Sequence, residues 1–231
     1  MNLEEIADLA WKKAQQAKDY TDILNVFSAH LYCYRAQQQA YELEHFWSKE
    51  RNDLVYNHAM GRAAVIAMYG ENEAERRAQT RKRASKVYPN VSDTPSYEGV
   101  GDMVAKAASS PYVVIAEDGM SAHGIWFVPG FCLALDENSK VTGFYYQEKN
   151  AVDFVKEADG WKILRLEVWM DFRTPCTHID FTPEQYKFQY PLMGQAQYAE
   201  PYSATAVAKF CPPLPKPYDS WEHATEFLQT Y

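Results

Sequence analysis

Residues 161–173, Trp-Lys-Ile-Leu-Arg-Leu-Glu-Val-Trp-Met-Asp-Phe-Arg, alternate in character over a length that few structures other than one long β-strand accommodate. Lys162, Leu164, Leu166, Val168, Met170 and Phe172 fall on one face. Trp161, Ile163, Arg165, Glu167, Trp169, Asp171 and Arg173 fall on the other. An apolar strand face of this size must be covered by something else in the chain. The preceding segment, Val141 to Lys156, reads as its hairpin partner, joined through Ala158-Asp159-Gly160. A second strand pair runs from Pro111 to Ala116 and from Ala122 to Val128. It turns near Asp118-Gly119, where Met120 and Ser121 lengthen the connection.

The cover comes from the first third of the chain, which carries helical periodicity. Ile6, Leu9, Ala10 and Trp11 recur at helical spacing, and so do Ile23, Val26, Phe27, His30, Leu31 and Tyr34. Asp22 is placed to serve in the first turn of the second run. Tyr41 to Lys49 forms a further helix with Leu43, Phe46 and Trp47 on one side. Asp53 to His58 reads as a short strand ended by Gly61, and residues 62 to about 87 as a helix closed by Pro89. Helices first and long antiparallel strands later predict an α+β layer fold. From Thr174 onward the chain is rich in Pro and Tyr. It reads as an extended tail with one short helix from Ser220, packed on the body or on a neighbouring subunit.

Composition matters for what it excludes. A hydrophobic fraction of 47% supports a packed core, and a net charge of −8 lacks the basic footprint of a nucleic-acid binder. The basic run from Arg76 to Arg83 follows Glu71, Glu73 and Glu75, and is expected to be a solvated, salt-bridged helix face. Cys33, Cys132, Cys176 and Cys211 are too far apart for a zinc or redox motif, so no metal is expected. No phosphate-cradling glycine loop or nucleophile elbow is present, and no cofactor is expected. The amino terminus is amphipathic and acidic rather than signal-like, and no apolar run reaches the ~20 residues a membrane span needs. A cytoplasmic protein with no nucleic-acid or membrane partner is the simplest expectation. The 17 Tyr and 6 Trp suit either a ligand cavity or a subunit interface, and equally an aromatic-rich core.

The order of elements resembles the SnoaL-like family of the NTF2-like superfamily. The likeness lies in the first amphipathic helix ending near Tyr34, Glu42-Leu-Glu-His-Phe-Trp47, the short strand to His58 and Gly61 to Tyr69. It continues through the strand–Asp-Gly–strand unit from Pro111 to Val128 and Asp159-Gly-Trp-Lys-Ile163. It covers roughly residues 20 to 175, which sets a domain of residues 1–175 and a tail of residues 176–231. The resemblance implies a cone-shaped pocket between helices and sheet, of the ketosteroid isomerase and scytalone dehydratase type. Such pockets often serve cofactor-free proton transfer. A homo-oligomer, dimer or trimer, is expected. The fold alone does not assign function, and non-catalytic binders share it.

Registered against the isomerase members, the catalytic base falls on His58, the oxyanion donor on Asp153, and the donor from the first helix on His30, Tyr32 or Tyr34. His58 could equally cap its strand, Asp153 could pair with a lysine, and His30 could be a core histidine. Trp126 and Tyr146 are candidate cavity walls or packing residues, and Glu148 is a further acid–base candidate. Arg165, Glu167, Trp169 and Asp171 line either the pocket or a subunit interface. His123 and Trp126 lie on opposite sides of their strand, so at most one faces the pocket. The function implied is a lyase, dehydratase or isomerase acting by general acid–base catalysis on an apolar aromatic or polycyclic molecule. The alternative is a non-catalytic binding or assembly protein.

Overall fold

A computed structural model describes residues 1–88, 103–176 and 214–224. Helix α1 runs unbroken from Leu3 to Arg35. Asn2 opens it with a capping box, its side chain accepting from the Glu5 N–H while Glu5 accepts from the Asn2 N–H. The two helical runs expected in this region are therefore one helix. Asp22 sits inside it, paired with Lys18 at 2.5 Å, and starts nothing. The first half of α1 is exposed. The second half buries Ile23, Val26, Phe27, His30 and Leu31 at helical spacing against the sheet. Asp19 fastens the junction, accepting from Lys156 Nζ at 2.7 Å and Trp161 Nε1 at 3.0 Å. Burial works against its carboxylate, but these donors together with Gln15 hold its pKa below the ordinary value.

Helix α2 covers Gln39–His45. Next come two two-residue strands, β1 (Val55–Tyr56) and β2 (Ala59–Met60), where one strand to His58 was expected. Asn57, at φ 52°, and His58 make the tight turn between them. The helical stretch that follows is not uniform. A turn of α3 (Arg62–Val65) passes into a π-helical segment, Ile66–Glu71, and then α4 (Asn72–Val87). Within the basic run Arg77 is buried and donates to Gln39 Oε1 at 2.5 Å, so that position is not a solvated face.

The strands β3 (Met103–Lys106), β4 (Ser109–Ile115), β5 (Ser121–Leu135), β6 (Val141–Glu157) and β7 (Gly160–Pro175) complete the sheet. Its order is β2-β1-β7-β6-β5-β3, with β4 also on β5. Pairing is antiparallel except between β1 and β7, which run parallel and make the sheet mixed rather than wholly antiparallel. The helices cover one face of the sheet, an α+β arrangement. Phe27 of α1 stacks on Trp126 of β5 at 4.1 Å between ring centroids, and Trp126 meets Phe154 edge-on. Burying each such ring contributes roughly 2–3 kcal/mol. Gly124 makes room for that stack, since a Cβ there would lie 2.3 Å from the Trp126 ring.

Two irregularities decide which side chains share a face. The β6–β7 register shifts between Gln147 and Glu148 and again between Asp153 and Phe154. Each shift reverses the strict alternation read along residues 161–173. Ile163 now pairs with Phe154, whose ring packs against Trp126 on the helix-covered face, and Arg173 pairs with Tyr146. Phe172, opposite Gln147, goes to the other face.

Candidate active site

The helix-covered face opens into a cleft near the C-terminal end of α1. It is lined by Tyr34, Val104, Lys106, Cys132, Tyr146, Glu148, Met170 and Arg173, and its free volume of about 20 Å³ is room for little more than a water molecule. Strand pairing brings the lining together. Glu148 lies opposite Met170, Tyr146 opposite Arg173, and Lys106 opposite Gly130, which is itself opposite Tyr146. Lys106 Nζ donates to both Glu148 oxygens, at 2.8 and 3.2 Å, and both side chains are nearly inaccessible. The same ammonium lies 4.5 Å from the Tyr34 ring centroid and 5.6 Å from that of Tyr146. Two aromatic faces therefore hold the cation over its carboxylate. Arg173 stacks on Phe144 at 3.8 Å. Gly130 permits this wall, because a Cβ there would come 2.7 Å from the Tyr146 hydroxyl and 2.4 Å from the Ala105 carbonyl.

One helical turn behind Tyr34 is a second polar cluster. His30 Nδ1 is 2.7 Å from Glu42 Oε1, which also accepts from Trp47 Nε1 at 3.0 Å. Tyr69 donates to Glu42 Oε2 at 2.5 Å. All four residues are buried. Burial, with the Glu42 carboxylate beside it, pushes the Tyr69 phenol well above its ordinary pKa, so it remains a donor. The cluster ties α2 and the π-helical segment to α1, and so fixes the helix end that bears Tyr34.

A third cluster is on the opposite face of the sheet. His123 Nδ1 lies 2.7 Å from Asp153 Oδ1, both buried. Arg165, directly across from Asp153, and Glu167, across from Ala151, continue that face. Burial, reinforced by the Asp153 charge, raises Glu167 to a pKa of about 7. The segment 214–224 covers this group. Tyr218 stacks on His123 at 4.4 Å and donates to Ser121 Oγ at 3.0 Å. Its carbonyl accepts from Glu117 N, and the Asp219 carbonyl from Asp118 N. Trp221 begins a short 3-10 turn, Trp221–His223, and receives the guanidinium groups of Arg165 at 5.1 Å and Arg51 at 5.6 Å. The tail residues Tyr186, Phe188, Tyr190, Tyr198 and Tyr202 and Cys211 lie outside the described residues.

The expected site residues thus divide between two faces of the sheet. Tyr34 and Tyr146 line the cleft, and His30 stands behind Tyr34. Asp153, Arg165, Glu167, Trp169 and Asp171 do not join them; Asp153 pairs with His123 and Asp171 with Lys149 at 2.9 Å. Trp126 is a core residue under Phe27. Tyr32 is exposed, pointing away from the sheet on α1. His58 is exposed on the β1–β2 turn, because the chain reverses one residue earlier than a continuous strand would. Lys106 was not singled out by sequence, and Glu42, Tyr69 and Arg173 stood in segments or on a strand face without being taken as site residues. Only the alternation of β6 carried a usable signal, placing Glu148 with Tyr146.

No family model matches the chain, and no curated protein matches it. Solved structures similar to it include hexachlorocyclohexane dehydrochlorinase LinA-type3 from Novosphingobium barchaimii LL02. That likeness is at 14% identity over 74% of this chain and 99% of that one, with a TM-score of 0.48. A putative scytalone dehydratase from Novosphingobium aromaticivorans DSM 12444 is 14% identical over 73% and 93%, with a TM-score of 0.48. An NTF2-like protein with a cystatin-like fold from Novosphingobium aromaticivorans is 14% identical over 82% and 98%, with a TM-score of 0.44. The reactions named there are those proteins' own. Among the described residues no helix is long and apolar enough to cross a membrane.

Proposed function

We propose that the chain is a cofactor-independent lyase of dehydratase type, or an isomerase, that performs general acid–base chemistry on a small aromatic molecule in the cleft. The observation that carries this is the buried Lys106–Glu148 pair at 2.8 Å between the Tyr34 and Tyr146 rings. Residues 1–175 form the pocket-bearing domain in this reading, and residues 176–231 its tail. The cleft's free volume of about 20 Å³ requires its walls to move aside for a substrate, which favours one substituted ring over a polycyclic body.

Glu148 is the base. It takes a proton from carbon next to a carbonyl, and the electron pair moves onto the carbonyl oxygen. Protonation of Glu148 releases the Lys106 ammonium toward that oxygen, where negative charge has developed. The proton on Glu148 then goes to a departing hydroxyl, giving water and an alkene, or to another carbon, giving an isomer. His30 and Glu42 are positioning residues that hold the end of α1, and the reading makes no use of His58. A second reading has support in the same pair: Lys106 already satisfies both Glu148 oxygens, as a purely structural ion pair in a binding protein would.

Exchange of α-hydrogens for solvent deuterium, followed by NMR on a panel of aryl ketones and β-hydroxy aryl ketones, separates the two. The proposal expects catalysed exchange that falls at least ~100-fold in Glu148→Gln and in Lys106→Met. Binding without exchange in the native protein, or full exchange in Glu148→Gln, would overturn it.

A further inference from the structure

The first half of α1 carries an apolar stripe that the sheet does not cover. Residues 1–14 are all exposed, and among them Leu3 is 83%, Ile6 47%, Leu9 46% and Trp11 74% exposed. From Leu3 to Ala14 the helix makes about three turns, roughly 18 Å, before Asp19 fastens it to β6 and β7. Leu3, Ile6, Ala10, Ala14 and Ala17 recur at spacings of three and four, so they fall in one line along it. At ~100° per residue that line lies roughly 130° around the helix from Ile23, Val26, Phe27, His30 and Leu31, which pack on the sheet. The stripe is therefore no continuation of the core stripe. An isolated helix of this length is marginal in water, and this one leaves leucine, isoleucine and tryptophan in solvent.

The charges on this stretch are sorted by sign. Glu4, Glu5 and Asp8 come first, and Lys12, Lys13 and Lys18 follow. Glu5 is engaged in the capping box and Lys18 in its pair with Asp22, while Glu4, Asp8, Lys12 and Lys13 are exposed. We propose that residues 3–18 are a dimerisation arm that lies antiparallel on the same arm of a second copy of this chain. Antiparallel pairing sets the acidic start of each arm beside the lysines of the other and opposes the two helix dipoles. A parallel pair would set acid beside acid and lysine beside lysine. Leu3 and Ile6 of each arm then lie over the alanines of the other, whose small side chains let the two helices approach closely. One patch serves both copies, as a two-fold interface requires. An anionic membrane would select a basic helix face, whereas the charges of this arm cancel. Two arms of this length bury no more than the low end of a standard interface, ~1,200 Å², so the association depends on concentration in the micromolar range. It is independent of the chemistry proposed for the cleft.

Sedimentation equilibrium of the full chain from about 1 to 200 µM tests the arm. The native protein is expected to pass from monomer to dimer over this range, and added salt is expected to weaken the dimer. Glu4→Lys with Asp8→Lys gives a predominantly basic arm, and Lys12→Glu with Lys13→Glu a predominantly acidic one. Each double variant alone should dimerise at least ~10-fold more weakly, and an equimolar mixture of the two should recover the dimer. Ile6→Asp should abolish it. All five positions are exposed, so the domain keeps its fold, and recovery in the mixture separates lost pairing from misfolding. A native protein that stays monomeric or forms a trimer overturns the proposal. So does a dimer that these changes leave untouched, one that strengthens with salt, or a mixture that fails to recover it.

Discussion

Replacing Glu42 by leucine removes the acceptor shared by three buried donors while adding no new strain of size. His30 Nδ1, Trp47 Nε1 and the Tyr69 hydroxyl all lie within 3.0 Å of its two oxygens, and Glu42 itself is 0% exposed. His30 can shed its Nδ1 proton by changing tautomer, which leaves two donors that cannot escape, the indole N–H and the phenol. Each buried donor left unmet costs about 1–3 kcal/mol, so Glu42→Leu should lose about 2–6 kcal/mol. A domain of ordinary stability has only ~5–15 kcal/mol to lose. Glu42→Gln keeps one acceptor for Trp47 and presents its amide N–H to Tyr69, which then accepts; about 1–2 kcal/mol should be lost. Urea unfolding followed by tryptophan fluorescence measures both. Because the leucine and the phenol are in contact, Glu42→Leu with Tyr69→Phe should cost less than the two single changes summed. A loss below about 1 kcal/mol for Glu42→Leu, or strict additivity of the pair, would refute the view that this carboxylate organises the helical cover.

Two further outcomes follow from the geometry. Gly130→Ala places a methyl group against the Tyr146 hydroxyl and the Ala105 carbonyl. It should cost about 1–3 kcal/mol in denaturant unfolding and push Tyr146 into the cleft, abolishing aryl ketone binding. Native-like binding by calorimetry would contradict the cleft wall described. Glu167, lifted to about 7 by burial and the charge of Asp153, binds its proton more tightly folded than unfolded. The folded state therefore holds more protons than the unfolded one between the ordinary glutamate value near 4.5 and about 7. This group's contribution to stability is full below that window and is lost as pH rises through it. The groups around it are Asp153, Arg165, His123 and Tyr218. Glu167→Gln should remove that decline from the melting temperature measured between pH 4.5 and 8, and an unchanged profile would rule the assignment out.

Both the cleft and the tail contacts depend on which side of β5, β6 and β7 a residue occupies. The helix-covered face holds Lys106, Glu148, Tyr146 and Asn150 under α1. The other face holds His123, Asp153, Arg165 and Glu167 under Tyr218 and Trp221. Two titratable clusters within a few residues of each other in sequence are thereby separated by the thickness of the sheet.

The α+β class, the long hairpin of β6 and β7, and the helical stripe from Ile23 to Leu31 were legible in the amino-acid order. These depend on local periodicity, which each segment carries within itself. So did the opposition of His123 and Trp126, because β5 pairs with β6 without a register break through that stretch. The site was less legible. Asp153 was expected in the pocket and lies behind the sheet. Arg173 was grouped with Trp169 and lies in the cleft, because a register shift at Gln147/Glu148 reverses alternation beyond it. A bulge depends on how two strands meet, and neither strand's own pattern records it. The fate of His58 turned on a two-residue strand and a positive-φ asparagine in the tight turn from β1 to β2. Periodicity determined which elements form and which stripe of each is apolar. Pairing across the sheet, a non-local choice, decided which polar groups meet in the cleft.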